Sequence, residues 1–240
     1  EGVIDKISLE GNEKTNEKVI RRELSTKVGY VFHAQTMQKD LQRLYNLGAF
    51  ENIEVLPRDG QVKGHYDIVL QLKEGKTADT GLNFSLNNRD GILGGVHLTE
   101  TNFLGNGQYL NLNFQTSLNF LDLFNQNPDS KNSFYGRVDF VEPWLLPDRT
   151  SLGGSVFTER TPLFYGQALE HLPTQAQNGI LQTRTGASVN MSRPLFGDHY
   201  SPWKGQLAFT AEQVGLSDFQ QQPLRDLSLS NRFSATDVFF

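Results

Sequence analysis

The residues best suited to proton transfer or metal ligation are five histidines, His33, His65, His97, His171 and His199, scattered through 240 residues. None sits in an H-E-x-x-H frame, and no two are spaced to share one face of a helix. A lone histidine on a strand or loop is ordinarily structural or solvated. Cysteine is absent, which removes thiolate catalysis, disulfides and cysteine-ligated metal together. The glycine-rich run "LGNGQ" at 104–108 opens a strand-like segment rather than a helix, which argues against a phosphate cradle. There is no G-x-S-x-G. Glu142, Asp148 and Glu159 lie near turn signals, where carboxylates cap turns or face water. The chain therefore reads as a non-enzyme that needs no cofactor and no metal. What remains is main-chain chemistry: the unpaired N–H and C=O groups of a strand edge, which can take up another strand.

Strands are plentiful enough to supply such edges. In "QYLNLNFQTSLNF" (108–120), Leu110, Leu112, Phe114, Leu118 and Phe120 alternate with Asn111, Asn113, Gln115, Ser117 and Asn119. Period two over this length is a strand with one apolar and one polar face. Similar segments occupy 80–88, 92–102, 133–141, 150–160, 180–193, 203–214 and 227–240. Most match or exceed the roughly 9–11 residues that cross a bilayer at a tilt. Long connections, such as 121–132 and 161–179, alternate with shorter turns beyond the first hairpin, as in membrane barrels. Tyr135, Trp144, Tyr165, Tyr200 and Trp203 fall near strand ends, where an aromatic girdle would lie. A soluble sandwich also collects aromatics there. Strand length, loop alternation and a mean hydropathy of −0.45 together favour the barrel. The even face of 108–120 is expected to meet lipid and the odd face a wet lumen. Because the odd-face Asn, Gly and Ser residues are small, eight strands alone would fill a closed lumen poorly.

The first 75 residues have another texture. "VIDKISLEGN" is strand-like up to a Gly11-Asn12 turn. In "TNEKVIRRELS", Val19, Ile20 and Leu24 fall at helical spacing, with Thr15 or Asn16 placed as N-cap. Met37, Leu41, Leu44 and Tyr45 make one face of a second helix that Gly48 stops. Two strands follow, 50–56 and 66–73. The order β-α-α-β-β describes a small α+β domain with mixed surface charge. The net charge of −5, with no basic block, argues against a nucleic-acid partner. No stretch approaches the about 18 apolar residues of a membrane helix. The chain opens directly on strand-like sequence, with no leader pattern, so it is expected to be part of something longer.

The run I-x-L-x-G-N at 7–12, G-x-x-F at Gly29–Phe32 and L-x-R-L-Y-x-L-G-x-F-x-x-I-x-V at Leu41–Val55 resemble a POTRA domain, over residues 2–75. This is the periplasmic module of the BamA-type outer-membrane β-barrel assembly proteins. "GLNFSL" (81–86), "NFLGNG" (102–107) and "EPWLLPDRTSLGGSVF" (142–157) resemble the first barrel strands of that superfamily. Glu142 stands where the family often has Asn, and Pro143 is kept. The family's downstream Arg-Gly-Phe/Tyr loop and closing strand are not found. The resemblance implies an α+β POTRA domain (1–75) followed by an all-β transmembrane antiparallel segment of about eight strands (76–240). That segment would be the N-terminal part of a sixteen-stranded barrel.

The resemblance also assigns two edges. The first barrel strand, Thr80, Gly81, Leu82, Asn83, Phe84, Ser85, Leu86, Asn87 and Asn88, would be a lateral gate. The POTRA strand Phe50, Glu51, Asn52, Ile53, Glu54, Val55 and Leu56 would receive a client or partner strand. Both are otherwise ordinary edge strands. The implied function is folding and insertion of β-barrel proteins by strand augmentation in a Gram-negative or cyanobacterial outer membrane. The POTRA domain would lie in the periplasm; an organelle's outer envelope is the alternative membrane. Implied partners are unfolded β-barrel clients, the lipid bilayer and periplasmic or complex subunits. A secretion or import pore of the same superfamily and a purely structural small barrel are the competing functions.

Overall fold

The computed structural model describes residues 2–60, 62–87, 91–117, 133–163, 180–196, 200–201, 203–218 and 230–239. Asn88, Tyr165, His171, His199, the odd-face Asn119, the even-face Leu118 and Phe120, and the loop 121–132 lie outside the described residues, as do most of 161–179. The chain forms two compact units, Glu1–Asp79 with Glu100–Tyr109, and Thr80–Thr99 with Leu110–Phe240.

The first unit runs β1 (Val3–Glu10), α1 (Glu17–Arg21), α2 (Ala34–Asn46), β2 (Phe50–Asp59) and β3 (His65–Glu74). Its sheet has the order β1-β3-β2, with β1 parallel and β2 antiparallel to the central β3. The position of β3 explains its apolar run: Ile68, Val69, Leu70 and Leu72 are all buried. Ile4 and Ile7 from β1, Ile20 from α1, Met37 and Leu44 from α2 and Ile53 from β2 close the core against it. Burying each such side chain is worth about 1.5–3 kcal/mol, so Leu44→Ala alone would remove much of this domain's stability. Gly48, at φ +68°, ends α2 as expected.

Three details differ from the reading of the sequence. The first helix is only five residues long, and its N-cap, Asn16, makes no side-chain cap bond. Tyr45 is 39% exposed rather than part of the core face. The second strand runs through Pro57 to Asp59.

In the second unit β4 (Ala78–Asn87), β5 (Gly91–Phe103), β6 (Gln108–Ser117), β7 (Phe134–Glu142), β8 (Ser151–Leu163), β9 (Ile180–Pro194), β10 (Lys204–Asp218) and β11 (Ser230–Phe239) follow one another. They form one antiparallel sheet in sequence order, with β4 at one end and β11 at the other. Residues 78–79 of β4, 100–103 of β5 and 108–109 of β6 belong to the first unit. Register keeps the two faces apart. Val156 pairs with Ala187 and Ala187 with Ala211; Val189 pairs with Phe209 and Met191 with Leu207. Because side chains alternate with period two, one such register carries the apolar face across every strand.

Candidate functional site

The turn after β5 is built into the first unit. Asn102 is buried; its Nδ2 donates to the Thr15 hydroxyl at 2.9 Å, and its Oδ1 accepts the Gly107 N–H at 2.8 Å. The Asn16 N–H donates to the Gly105 carbonyl at 2.9 Å, while Asn16 Nδ2 donates to Asn106 Oδ1 at 2.8 Å. That explains the missing helix cap: the Asn16 side chain holds this turn instead. Gly105 has φ +73°, and a Cβ there would sit 2.0 Å from the Lys14 carbonyl oxygen. "NFLGNG" is thus shaped to lie against the β1–α1 loop.

Glu74 completes the cluster by accepting the N–H groups of Thr15 at 2.6 Å and Lys14 at 3.0 Å. Partial burial works to raise its pKa, but hydrogen bonds from the Thr15 side chain and from the Thr15 and Lys14 backbones outweigh that and hold it below the usual range.

The residues 50–56 lie in β2, at one edge of the small sheet. Phe50 and Ile53 point into the core, whereas Glu51, Asn52, Glu54 and Leu56 are exposed. Of the residues 80–88, Thr80 to Asn87 lie in β4, the end strand of the large sheet. Leu82, Phe84 and Leu86 are 70–81% exposed on its apolar face. On the polar face the His97 ring of β5 lies over Gly81, where a Cβ would come within 2.4 Å of Cε1. Nδ1 of the same ring donates to Asn83 Oδ1 at 2.9 Å.

Sequence reading missed how that polar face is stitched from strand to strand. Thr99 donates to Asn111 and Asn111 to Asp139, at 3.1 and 3.0 Å. Arg137 donates to Asp139 at 2.7 Å and to Ser155 at 3.0 Å; the Ser155 and Ser188 hydroxyls lie 2.6 Å apart. Arg184 sits between Glu212 at 2.6 Å and Glu159 at 3.6 Å. The expected small Asn, Gly and Ser residues are therefore joined by large charged ones. Only knowledge of the strand register would have shown which of them meet.

At one end of this sheet the turn 143–150 meets Tyr200 and the end of β9. The Arg149 guanidinium lies 5.3 Å from the Trp144 ring centroid and 4.7 Å from that of Tyr200. Asp148 pairs with Arg193 at 2.8 Å. The Thr150 side chain, by hydrogen bonding, lowers the Asp148 pKa. Among the described residues no group of His, Cys, Asp and Glu could hold a metal ion.

Known proteins with this arrangement identify it. Residues 2–75 match the POTRA family, surface antigen variable number repeat, and residues 102–238 match the Omp85 superfamily domain. The chain belongs to the Omp85 superfamily. Among curated Omp85 relatives, the outer membrane protein assembly factor BamA of Neisseria meningitidis is 24% identical over 98% of this chain and 26% of that protein. Protein TOC75-3, chloroplastic, of Arabidopsis thaliana is 31% identical over 77% of this chain and 23% of that protein. The chain thus spans about a quarter of the length of these relatives. BamA from Haemophilus ducreyi lacking POTRA domains 1-3 has the same fold, with a TM-score of 0.67 at 20% identity over 98% of this chain and 42% of that one. CdiB from Acinetobacter baumannii matches with a TM-score of 0.60 at 16% identity over 99% of this chain and 42% of that one. Residues 2–75 thus form a POTRA domain, and residues 102–238 belong to an Omp85 superfamily domain.

Proposed function

We propose that this chain is the last POTRA domain and the N-terminal part of a barrel that folds and inserts β-barrel clients into an outer membrane. In this reading β4 is the lateral gate, the apolar face of the sheet meets lipid and the stitched polar face lines the lumen. The POTRA domain lies in the periplasm. Unfolded clients and periplasmic subunits are its partners. The supporting observation is the place of β4, which among the described residues is an end strand of the sheet and carries Gly81 and Asn83 among exposed apolar residues. Gly and Asn are poor strand formers, so its pairing is weak enough to exchange. An unpaired edge offers a client strand main-chain partners.

A disulfide between position 83 and the closing strand of the complete barrel tests this. The locked protein should fail to insert clients into liposomes and recover on reduction. Insertion at the normal rate by the locked protein would remove the gate. The charged polar face supports a second reading, a polypeptide-conducting pore, and a locked protein that still transports polypeptide would favour it. An organelle's outer envelope is the alternative membrane.

A further inference from the structure

The small sheet has two outer edges, and they are not equally open. The first half of β1 is covered: the Gly29 N–H donates to the Ile4 carbonyl at 2.8 Å, the Ile4 N–H to the Tyr30 carbonyl at 3.0 Å and the Phe32 N–H to the Gly2 carbonyl at 2.8 Å. On β2, Ile53, Val55 and Pro57 share one parity, opposite Leu72, Leu70 and Ile68 of β3. The Ile53 N–H donates to the Tyr45 hydroxyl at 3.0 Å rather than to β3, so this parity points away from the sheet. Pro57, on the same parity, has no N–H to offer. Of three successive outward positions, one donor is therefore held, one is absent and only Val55 lies between them.

We propose that the Tyr45 hydroxyl guards this edge and sets the register of any strand that joins it. An extended peptide first pairs with Val55 and gains the Ile53 donor only by displacing the Tyr45 hydroxyl; Pro57 stops the ladder at the other side. Tyr45 sits at the end of α2 and is 39% exposed, so its side chain can leave without disturbing Leu44 or the core. This rests on the reading of β2 as a client-receiving edge.

The test uses the full chain in detergent micelles and a synthetic ten-residue peptide of alternating Val and Thr, with backbone amides followed by NMR. In Tyr45→Phe the ring stays and the hydroxyl goes. The Ile53 amide should exchange faster, and the peptide should bind about three- to tenfold more tightly, the value of one hydrogen bond no longer broken. Val55→Pro in that background should abolish binding, and Pro57→Ala should extend the contacted amides past position 57. Equal peptide affinity in Tyr45→Phe and the parent would overturn the guard while leaving the edge a docking site. If the peptide binds neither protein, the edge itself is not a docking site and the guard falls with it.

Discussion

The side-chain amide of Asn102 donates to the hydroxyl of Thr15 across 87 positions of sequence, with both residues almost fully buried. It ties the turn after β5 into the same compact unit as the POTRA sheet and helices. Such a contact is costly to half-remove, because each buried partner then lacks a mate.

Asn102→Ala should therefore loosen the turn by about 1–3 kcal/mol. Hydrogen exchange on the whole chain in micelles should show the amides of Gly107 and Asn16 exchanging faster. The β3 amides should keep their protection. Unchanged exchange at Gly107 and Asn16 would mean that the backbone contacts alone hold the turn.

The same cluster should respond to acid through Glu74. Its pKa is depressed in the folded chain, so its contribution is present above the unfolded value and disappears as pH falls through the folded one. The turn should be firmly held at neutral pH and loosen only as the pH falls below the ordinary glutamate range. Following the Asn16 amide across that range should show the transition in the parent, and Glu74→Gln should flatten it.

The elements that proved legible from sequence are those whose burial is encoded locally. The spacing of Met37, Leu41 and Leu44 marks the helix because one face of it is covered, and alternation at 108–117 marks a strand because successive side chains point to opposite faces. Residues whose partners lie far along the chain escaped that reading. Asn16 looks like a helix cap, but its partner Asn106 is 90 positions away. Tyr45 fits the helix's apolar spacing, yet its hydroxyl goes to a strand N–H. Arg184 shows no significance until register brings Glu159 and Glu212 beside it.

Asp40 is a further residue that sequence spacing passed over. It is fully buried and accepts the N–H groups of Ser25 and Thr26 at 2.9 Å, the Thr26 hydroxyl at 2.6 Å and Arg43 at 2.8 Å. Asp40→Ala should cost about 2–4 kcal/mol by orphaning these donors. The measurement is the thermal unfolding of the chain followed by the amides of Ser25 and Thr26. A loss under 1 kcal/mol (about a factor of five in the folding equilibrium) would show that water replaces the carboxylate freely.

The two faces of β6 should differ in their tolerance of charge. Leu112 is exposed on the apolar face, whereas Asn113 belongs to the opposite, polar one. Leu112→Arg should cost about 2–4 kcal/mol if this face lies near the bilayer midplane, and Asn113→Arg far less. Folding titrations of the complete protein into bilayers measure both. Equal costs would contradict a lipid-facing even side.

The gate reading of β4 can be pressed hardest at Gly81. Its role is steric as well as conformational: the His97 ring fills the space a side chain would need, and from there holds Asn83 on the same strand. His97 thus fastens β4 to β5 on the polar face while the apolar side chains of β4 remain exposed. Gly81→Val would force the ring aside and break that hydrogen bond; His97→Ala would remove the fastening without crowding the strand. Both should speed exchange at the Leu82, Asn83 and Phe84 amides, and His97→Ala should do so with the other strands unaffected. In the complete protein, an easier release of β4 should raise the rate of client insertion in His97→Ala, and the disulfide lock at position 83 should cancel the gain. A His97→Ala protein with faster exchange in β4 but an unchanged insertion rate would show that release of this strand does not limit the reaction, and the gate would have to be sought elsewhere.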